Sequence, residues 1–164
     1  MIENHPDVKF GKTGVLIINL GTPDSTNWFD IRKYLKEFLS DRRVIEVNPF
    51  IWQIVLNLFI LTFRPSKTAK AYKEIWMKDE NISPLLYYTQ QQAKKLSNSI
   101  SKENIIVDYA MRYGNPSIKS KIKNLHEKGC ENLTILPLYP QYAAATTATV
   151  LSLIHISEPT RRVF

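Results

Sequence analysis

The chain has 164 residues, 44% of them apolar and 11% aromatic, enough to bury one substantial core, so a single domain is the default. Its one cysteine, Cys130, excludes an internal disulfide and any Cys-based zinc cluster, and its five glycines are placed so that neither G-x-G-x-x-G nor a Walker-type phosphate loop can be written. The net charge of +7 would suit nucleic acid, an anionic membrane face or an acidic small molecule, and composition does not choose among them.

Residues 1–12 form a polar, charged arm without the apolar core of a secretory signal. Gly14 to Leu20 is a continuous β-branched and aliphatic run, the pattern of a strand covered on both faces. A turn over Gly21 to Ser25 follows. Trp28, Ile31, Leu35 and Phe38 then recur at helical spacing behind a cap expected at Asp24 or Ser25. Asp41-Arg42-Arg43 ends that helix in charge, and Val44 to Val47 reads as a short extended piece.

Pro49 to Phe63 is the longest apolar stretch, interrupted only by Gln53, Asn57 and Thr62. It is shorter than the roughly 20 residues that span a bilayer. Apolar residues occupy nearly its whole helical circumference, which leaves two readings open: a core helix, or an exposed lip that meets another surface. Arg64-Pro65 is expected to break it, with a short helix after it carrying Ala69, Tyr72, Ile75 and Trp76. Ser83-Pro84 marks a helix start, because serine can cap and proline fits the first turn; Leu85 to Ile100 carries that helix.

Ile105 to Ala110 is the second strand, followed by a polar loop over Met111 to Asn115. Asn115 and Pro116 should open a helix with Ile118, Ile122 and Leu125 inward and Lys119, Lys121 and Lys123 on a solvated face; Cys130 fills space near its end. Leu133 to Leu138 is the third strand, and it delivers a loop of tyrosines, alanines and threonines running to Thr147. Strands alternating with helices imply an α/β fold with right-handed crossovers and a parallel sheet. Ligands of such sheets collect beyond the carboxyl ends of the strands. That rule gathers Leu20 to Thr22, Met111 to Tyr113 and Tyr139 to Thr147, a set of arginine, tyrosine and hydroxyl groups suited to a large, flat, partly anionic ligand. Tyr109, Tyr113 and Tyr142 serve equally well as packing residues.

Five ordered motifs now stand together: Ile18-Asn19-Leu20-Gly21-Thr22-Pro23, Arg64-Pro65 with Tyr72 downstream, Ser83-Pro84-Leu85, Met111-Arg112-Tyr113-Gly114, and Leu138-Tyr139-Pro140-Gln141-Tyr142 followed by Thr146-Thr147. From about Gly11 to Val150 the chain resembles the N-terminal half of ferrochelatase, which inserts ferrous iron into a porphyrin. The resemblance implies two Rossmann-like lobes around a porphyrin cleft, with residues 13–150 supplying most of one and residues 49–63 forming a lip that can also rest on a membrane. It assigns Arg64 to a porphyrin propionate, and Tyr72, Ser83, Arg112, Tyr113, Tyr139 and Thr146 to lining or supporting the pocket. It also places Leu20 among the porphyrin-binding residues, at a position where some members carry Tyr or Met near the metal. The substrates implied are Fe²⁺ and a porphyrin, most simply protoporphyrin IX, with no resident cofactor, no nucleotide and no nucleic acid. Ala143-Ala144-Ala145 offers no cysteine where some members bind an iron–sulfur cluster. A cytoplasmic location, peripheral at the inner face of the membrane, follows from the same resemblance.

The chemistry requires a base for the pyrrole N–H protons and a ligand that passes the metal, roles that histidine and carboxylate fill. The family takes them from its second half, through a Ser-x-His-x-x-Pro-like motif and a later glutamate, and this sequence contains neither. His5 and His126 read as surface histidines. From Leu151 the chain resembles the translated read-through of a transposon-type sequencing adapter, so residues 151–164 are expected to be an artefactual tail in which His155 has no evolved role. The chain alone is then expected to lack chelatase activity and to present an unpaired sheet edge. A non-catalytic porphyrin- or membrane-surface-binding module is the alternative, and a nucleotide-dependent α/β enzyme is disfavoured by the missing glycine loops.

Overall fold

The computed structural model describes residues 11–45, 47–100 and 103–157, with side chains as far as residue 153. The elements run β1 (Lys12–Thr22), α1 (Trp28–Leu39), α2 (Pro49–Val55), a π-helical turn (Leu56–Ile60), α3 (Leu61–Ile75), α4 (Pro84–Ile100), β2 (Ile105–Gly114), α5 (Ile118–Glu127), β3 (Cys130–Pro137) and α6 (Thr147–Ser157). The strands are parallel and lie in the order β2-β1-β3, the flanked parallel sheet that strand–helix alternation predicts.

β1 occupies the centre, which is why its sequence is apolar without alternation. Leu16 and Ile18 face α5 and α6 and pack with Ala110, Ile118, Leu125 and Val150. Ile17, equally buried, points the other way. On that side Asn19 Nδ2 donates to Thr89 Oγ1 of α4 at 3.1 Å, and Gln90 Nε2 donates to the Tyr109 hydroxyl at 3.0 Å. Each buried aliphatic side chain here is worth about 1.5–3 kcal/mol, so the sheet is fixed chiefly from its middle. β3 lies on one edge of the sheet, and its side chains from Glu131 on are half-buried or exposed.

A second core joins α1 to the segment after it: Ile31, Leu35 and Leu39 pack against Leu56, Leu61 and Ala69. Leu56 and Leu61 are five residues apart and both wholly buried. In an α-helix that spacing would turn them about 140° from each other; the wider π turn returns them to one face.

Several expected boundaries shift. β1 runs on through Gly21 and Thr22, and β2 through Met111, Arg112 and Tyr113, because the two strand ends pair with each other, Gly21 with Tyr113 and Thr22 with Gly114. These are strand residues, not loops. α1 is capped by Asn27, whose side chain accepts from Asp30 N at 2.8 Å; Ser25 donates to Asp30 Oδ2 and Asp24 pairs with Lys33 instead. Ser117, not Asn115, caps α5. Residues 42–44 form a turn and residue 47 a bend, so no strand is assigned to Val44, Ile45 or Val47 of the expected extended piece, whose residue 46 lies outside the described residues; β3 spans Cys130–Pro137, so Cys130 begins a strand and is buried there.

Pro65 does not break the helix but sits buried inside α3, which continues to Ile75. Its missing N–H leaves the carbonyl of Leu61, four residues back, without its usual partner. Arg32 Nε takes that place, donating to Leu61 O at 3.3 Å. Lys121 also departs from the solvated face, because its ammonium contacts both oxygens of Asp108 at 2.7 and 2.9 Å. α6 passes without interruption across residues 150 and 151, and Leu153 packs against the core under β1. His5 and residues 158–164 lie outside the described residues, as does the side chain of His155.

Candidate functional site

The carboxyl ends of β1 and β2, with α1, α3 and the segment after β3, build a wall of tyrosines around one ion pair. Arg112 extends from β2 and pairs with Asp41, which follows α1; the two side chains are only 10% and 9% exposed. Asp41 Oδ2 also accepts the Tyr113 hydroxyl at 2.9 Å. The Arg112 guanidinium lies 4.4 Å from the centre of the Tyr113 ring, a cation–π arrangement that restricts its rotamer. Phe38 meets the same ring edge-on at 5.1 Å.

Tyr34, Tyr72, Tyr113 and Tyr139 converge closely enough to interact electrostatically. Burial is the leading cause that raises the pKa of each above the ordinary tyrosine value. The nearby Arg112 charge opposes that rise at Tyr113 and Tyr139. Tyr34 donates to Gly21 O at 3.3 Å. Thr22 Oγ1, Arg112 Nε and Tyr139 Oη are all buried, and the Tyr72 hydroxyl faces Thr22 closely enough to interact with it. Polar groups buried this deeply hold the wall together from behind and are shut off from solvent. Beside it, Glu37, Asp41, Arg42, Arg43, Arg112 and Tyr113 line an open depression of ≈ 450 Å³ that Ser152 and Leu153 also border.

Of the residues singled out from sequence, Tyr72, Arg112, Tyr113 and Tyr139 come together. Thr146 has a turn-closing role in the segment after β3: its hydroxyl accepts from Ala143 N at 3.0 Å, and its carbonyl accepts the Thr149 hydroxyl at 2.6 Å. Ser83 is buried and caps α4, accepting from Leu86 N at 3.2 Å. Leu20 is half-buried in β1. Arg64 is exposed on α3, eight residues before Tyr72 and so about 12 Å from it along the helix axis. Tyr142, grouped with the loop tyrosines, is exposed and not part of the wall.

Sequence reasoning passed over Asp41 and Tyr34. Tyr34 was detectable, since it lies between Ile31 and Leu35 on the inward stripe of α1. Asp41 carries no such periodic signal.

The apolar segment projects beside this wall. α2 starts at Pro49 behind Asn48, whose side chain accepts from Phe50 N at 3.0 Å, and Trp52 Nε1 anchors it to Leu39 O at 2.7 Å. Leu56 and Leu61 are buried, whereas Phe50 (78%), Leu58, Phe59 and Phe63 (72%) stand in solvent. Both readings of the segment therefore hold in part: one stripe is core, and the rest is an exposed apolar patch. No helix among the described residues is long and apolar enough to cross a membrane. No group of three or more His, Cys, Asp or Glu among them is arranged to hold a metal.

Comparison with known proteins adds lineage to this geometry. A family model described as Ferrochelatase matches residues 12–162. The protein named "Ferrochelatase" from Francisella tularensis subsp. novicida (strain U112) is 57% identical over 142 residues, 87% of this chain and 42% of that protein. The one from Francisella tularensis subsp. holarctica (strain LVS) is 56% identical over the same span. The one from Allorhizobium ampelinum is 55% identical over 149 residues, 90% of this chain and 43% of that protein. The chain spans about two fifths of the length of these curated relatives.

Proposed function

The chain belongs to the ferrochelatase family, and from that premise we propose that it supplies the porphyrin-facing wall of an enzyme that inserts ferrous iron into a porphyrin, most simply protoporphyrin IX, on the way to haem. The observation that carries this reading is the convergence of four tyrosines and a buried arginine at the strand ends. In such a wall the half-buried Tyr72 and Tyr139 are the rings able to meet a flat macrocycle, with Tyr34, Tyr113 and Arg112 buried as their support.

In this reading Tyr72, Tyr113 and Tyr139 line or support the macrocycle, with Arg112 holding the wall in register. Arg64, exposed on α3, meets a propionate. Ser83 and Thr146 act indirectly, by fixing the start of α4 and the turn before α6. The exposed side of residues 49–63 forms the lip and rests on a membrane surface, which puts the protein on the cytoplasmic side. Iron is a substrate here. The groups that strip pyrrole protons and pass the metal belong to a Ser-x-His-x-x-Pro-like motif and a glutamate that this sequence does not contain, and Leu20 contributes no metal ligand because its side chain has no donor atom. The chain needs no cluster, nucleotide or nucleic acid for this role.

The test is to titrate protoporphyrin IX into the 164-residue chain by Soret absorbance, and to follow Zn²⁺ or Fe²⁺ insertion by the chain and by a version extended with the remaining part of a relative. Binding by the chain, with insertion only after extension, is expected. Absence of porphyrin binding, or full insertion by the chain alone, would overturn the proposal. Binding with no insertion in either form would favour a non-catalytic tetrapyrrole-binding module.

A further inference from the structure

We propose that Asp41 is a positioning residue that couples the wall to the entry of the apolar segment, so that the two hold a single relative geometry. This rests on the porphyrin-wall reading for its functional consequence, though not for its structural one. Each oxygen of Asp41 is engaged, and in two directions. Toward the sheet, Oδ2 accepts from Arg112 Nη2 and from the Tyr113 hydroxyl. Toward the apolar segment, Oδ1 accepts from Arg43 N at 2.9 Å. The backbone carbonyl accepts from Val44 N at 3.0 Å and Ile45 N at 3.1 Å.

The residue therefore ties β2 to the turn that leads, four residues after Ile45, into α2. Its side chain is 9% exposed, so water cannot readily replace a lost acceptor. Arg112 has no other anionic partner among the described residues. Its place over the Tyr113 ring depends on the same carboxylate that orients that ring's hydroxyl. A carboxylate is required because three donors, one of them cationic, converge on its two oxygens; an amide would present an N–H to at least one of them.

The coupling makes a prediction that a local packing role would not. Among the described residues the hydrogen bonds of Arg112 and those of the Arg43 and Val44 amides meet only at Asp41, so releasing Arg112 should loosen them through it. The experiment measures amide hydrogen exchange at residues 43–45 and protoporphyrin IX binding in the parent chain and in Asp41→Asn, Asp41→Glu, Arg112→Met and Tyr113→Phe, with far-UV circular dichroism as the folding control. Asp41→Asn and Arg112→Met are expected to speed exchange at 43–45 by at least about tenfold and to weaken porphyrin binding by a similar factor. Asp41→Glu should recover part of both, and Tyr113→Phe should give a smaller rise in exchange. Should Asp41→Asn fail to fold, Arg112→Met and Tyr113→Phe carry the test. Parent exchange rates at 43–45 in whichever of these variants fold would overturn the inference. A parent chain that binds no porphyrin, with exchange still accelerated in Arg112→Met, would sink the porphyrin reading while leaving the coupling in place.

Discussion

Gly21→Ala probes the joint on which the wall is built. Gly21 has φ of 115°, a backbone state that costs an L-residue of order 1–3 kcal/mol. An added Cβ would also collide with the backbone carbonyl oxygen of Tyr113, its partner in the β1–β2 register. That contact cannot be relieved by a rotamer change, because the obstacle is main chain in a paired strand. Gly129 supplies the control. It has a similar φ of 83° but nothing within 4 Å of the added Cβ, so Gly129→Ala reports the dihedral cost alone. We expect about 1 kcal/mol for Gly129→Ala and roughly 3 kcal/mol or more for Gly21→Ala, the excess coming from separation of the strand ends. For a chain of this size about 2–4 °C of Tm accompanies each kcal/mol. The difference between the two variants should therefore appear in thermal unfolding followed by near-UV circular dichroism. Equal losses in the two variants, or a Gly21→Ala Tm within about 2 °C of the parent, would refute the claim that close strand-end pairing fixes this site.

Alkaline titration tests the tyrosine cluster. Burial raises the folded-state pKa of Tyr34, Tyr72, Tyr113 and Tyr139, so their stabilising contribution is fully present below the ordinary tyrosine value near 10 and is lost as pH climbs through the raised folded values. Absorbance at the phenolate band should show part of the tyrosine complement resisting ionisation until the protein unfolds; one transition involving all tyrosines at their ordinary pKa, with the fold intact, would contradict this. Arg64→Ala should weaken protoporphyrin binding with little change in Tm, since the side chain is exposed on α3; an unchanged porphyrin affinity removes the propionate role. Replacing Phe50 and Phe59 together by serine should lower co-sedimentation with anionic lipid vesicles severalfold while leaving the Leu56–Leu61 core intact, because both rings stand in solvent; unchanged vesicle binding would remove the membrane role of the lip.

The sheet was legible because its signal is local. Gly14 to Leu20 is apolar on both sides of the pleat, and only a central strand needs that. Boundaries failed where pairing across the sheet prevailed over local preference: nothing in Met111-Arg112-Tyr113 distinguishes a polar loop from a strand end until Gly21 and Thr22 lie beside Tyr113 and Gly114. Pro65 misled for a comparable reason. The rule that proline ends a helix assumes that the freed carbonyl finds nothing, whereas here Arg32, from a helix 29 residues earlier, supplies the donor.

The segment from Pro49 to Phe63 shows how a period can mislead. Judged at 3.6 residues per turn, its apolar residues surround the helix and their faces cannot be sorted. The π turn at Leu56–Ile60 changes the phase midway, so that Leu56 and Leu61 share the buried stripe and the aromatic residues outside it are left to solvent. The site divides along similar lines. Arg112, Tyr113 and Tyr139 belong to strand ends, which sequence pattern can locate and the carboxyl-edge rule can gather. Asp41 lies at the end of a helix beside two arginines and looks like terminal charge. Its role depends on a contact across 71 residues of chain, and no spacing within the sequence encodes such a distance. A charged residue just past a helix end therefore deserves its structural reading only after the sheet has been assembled around it.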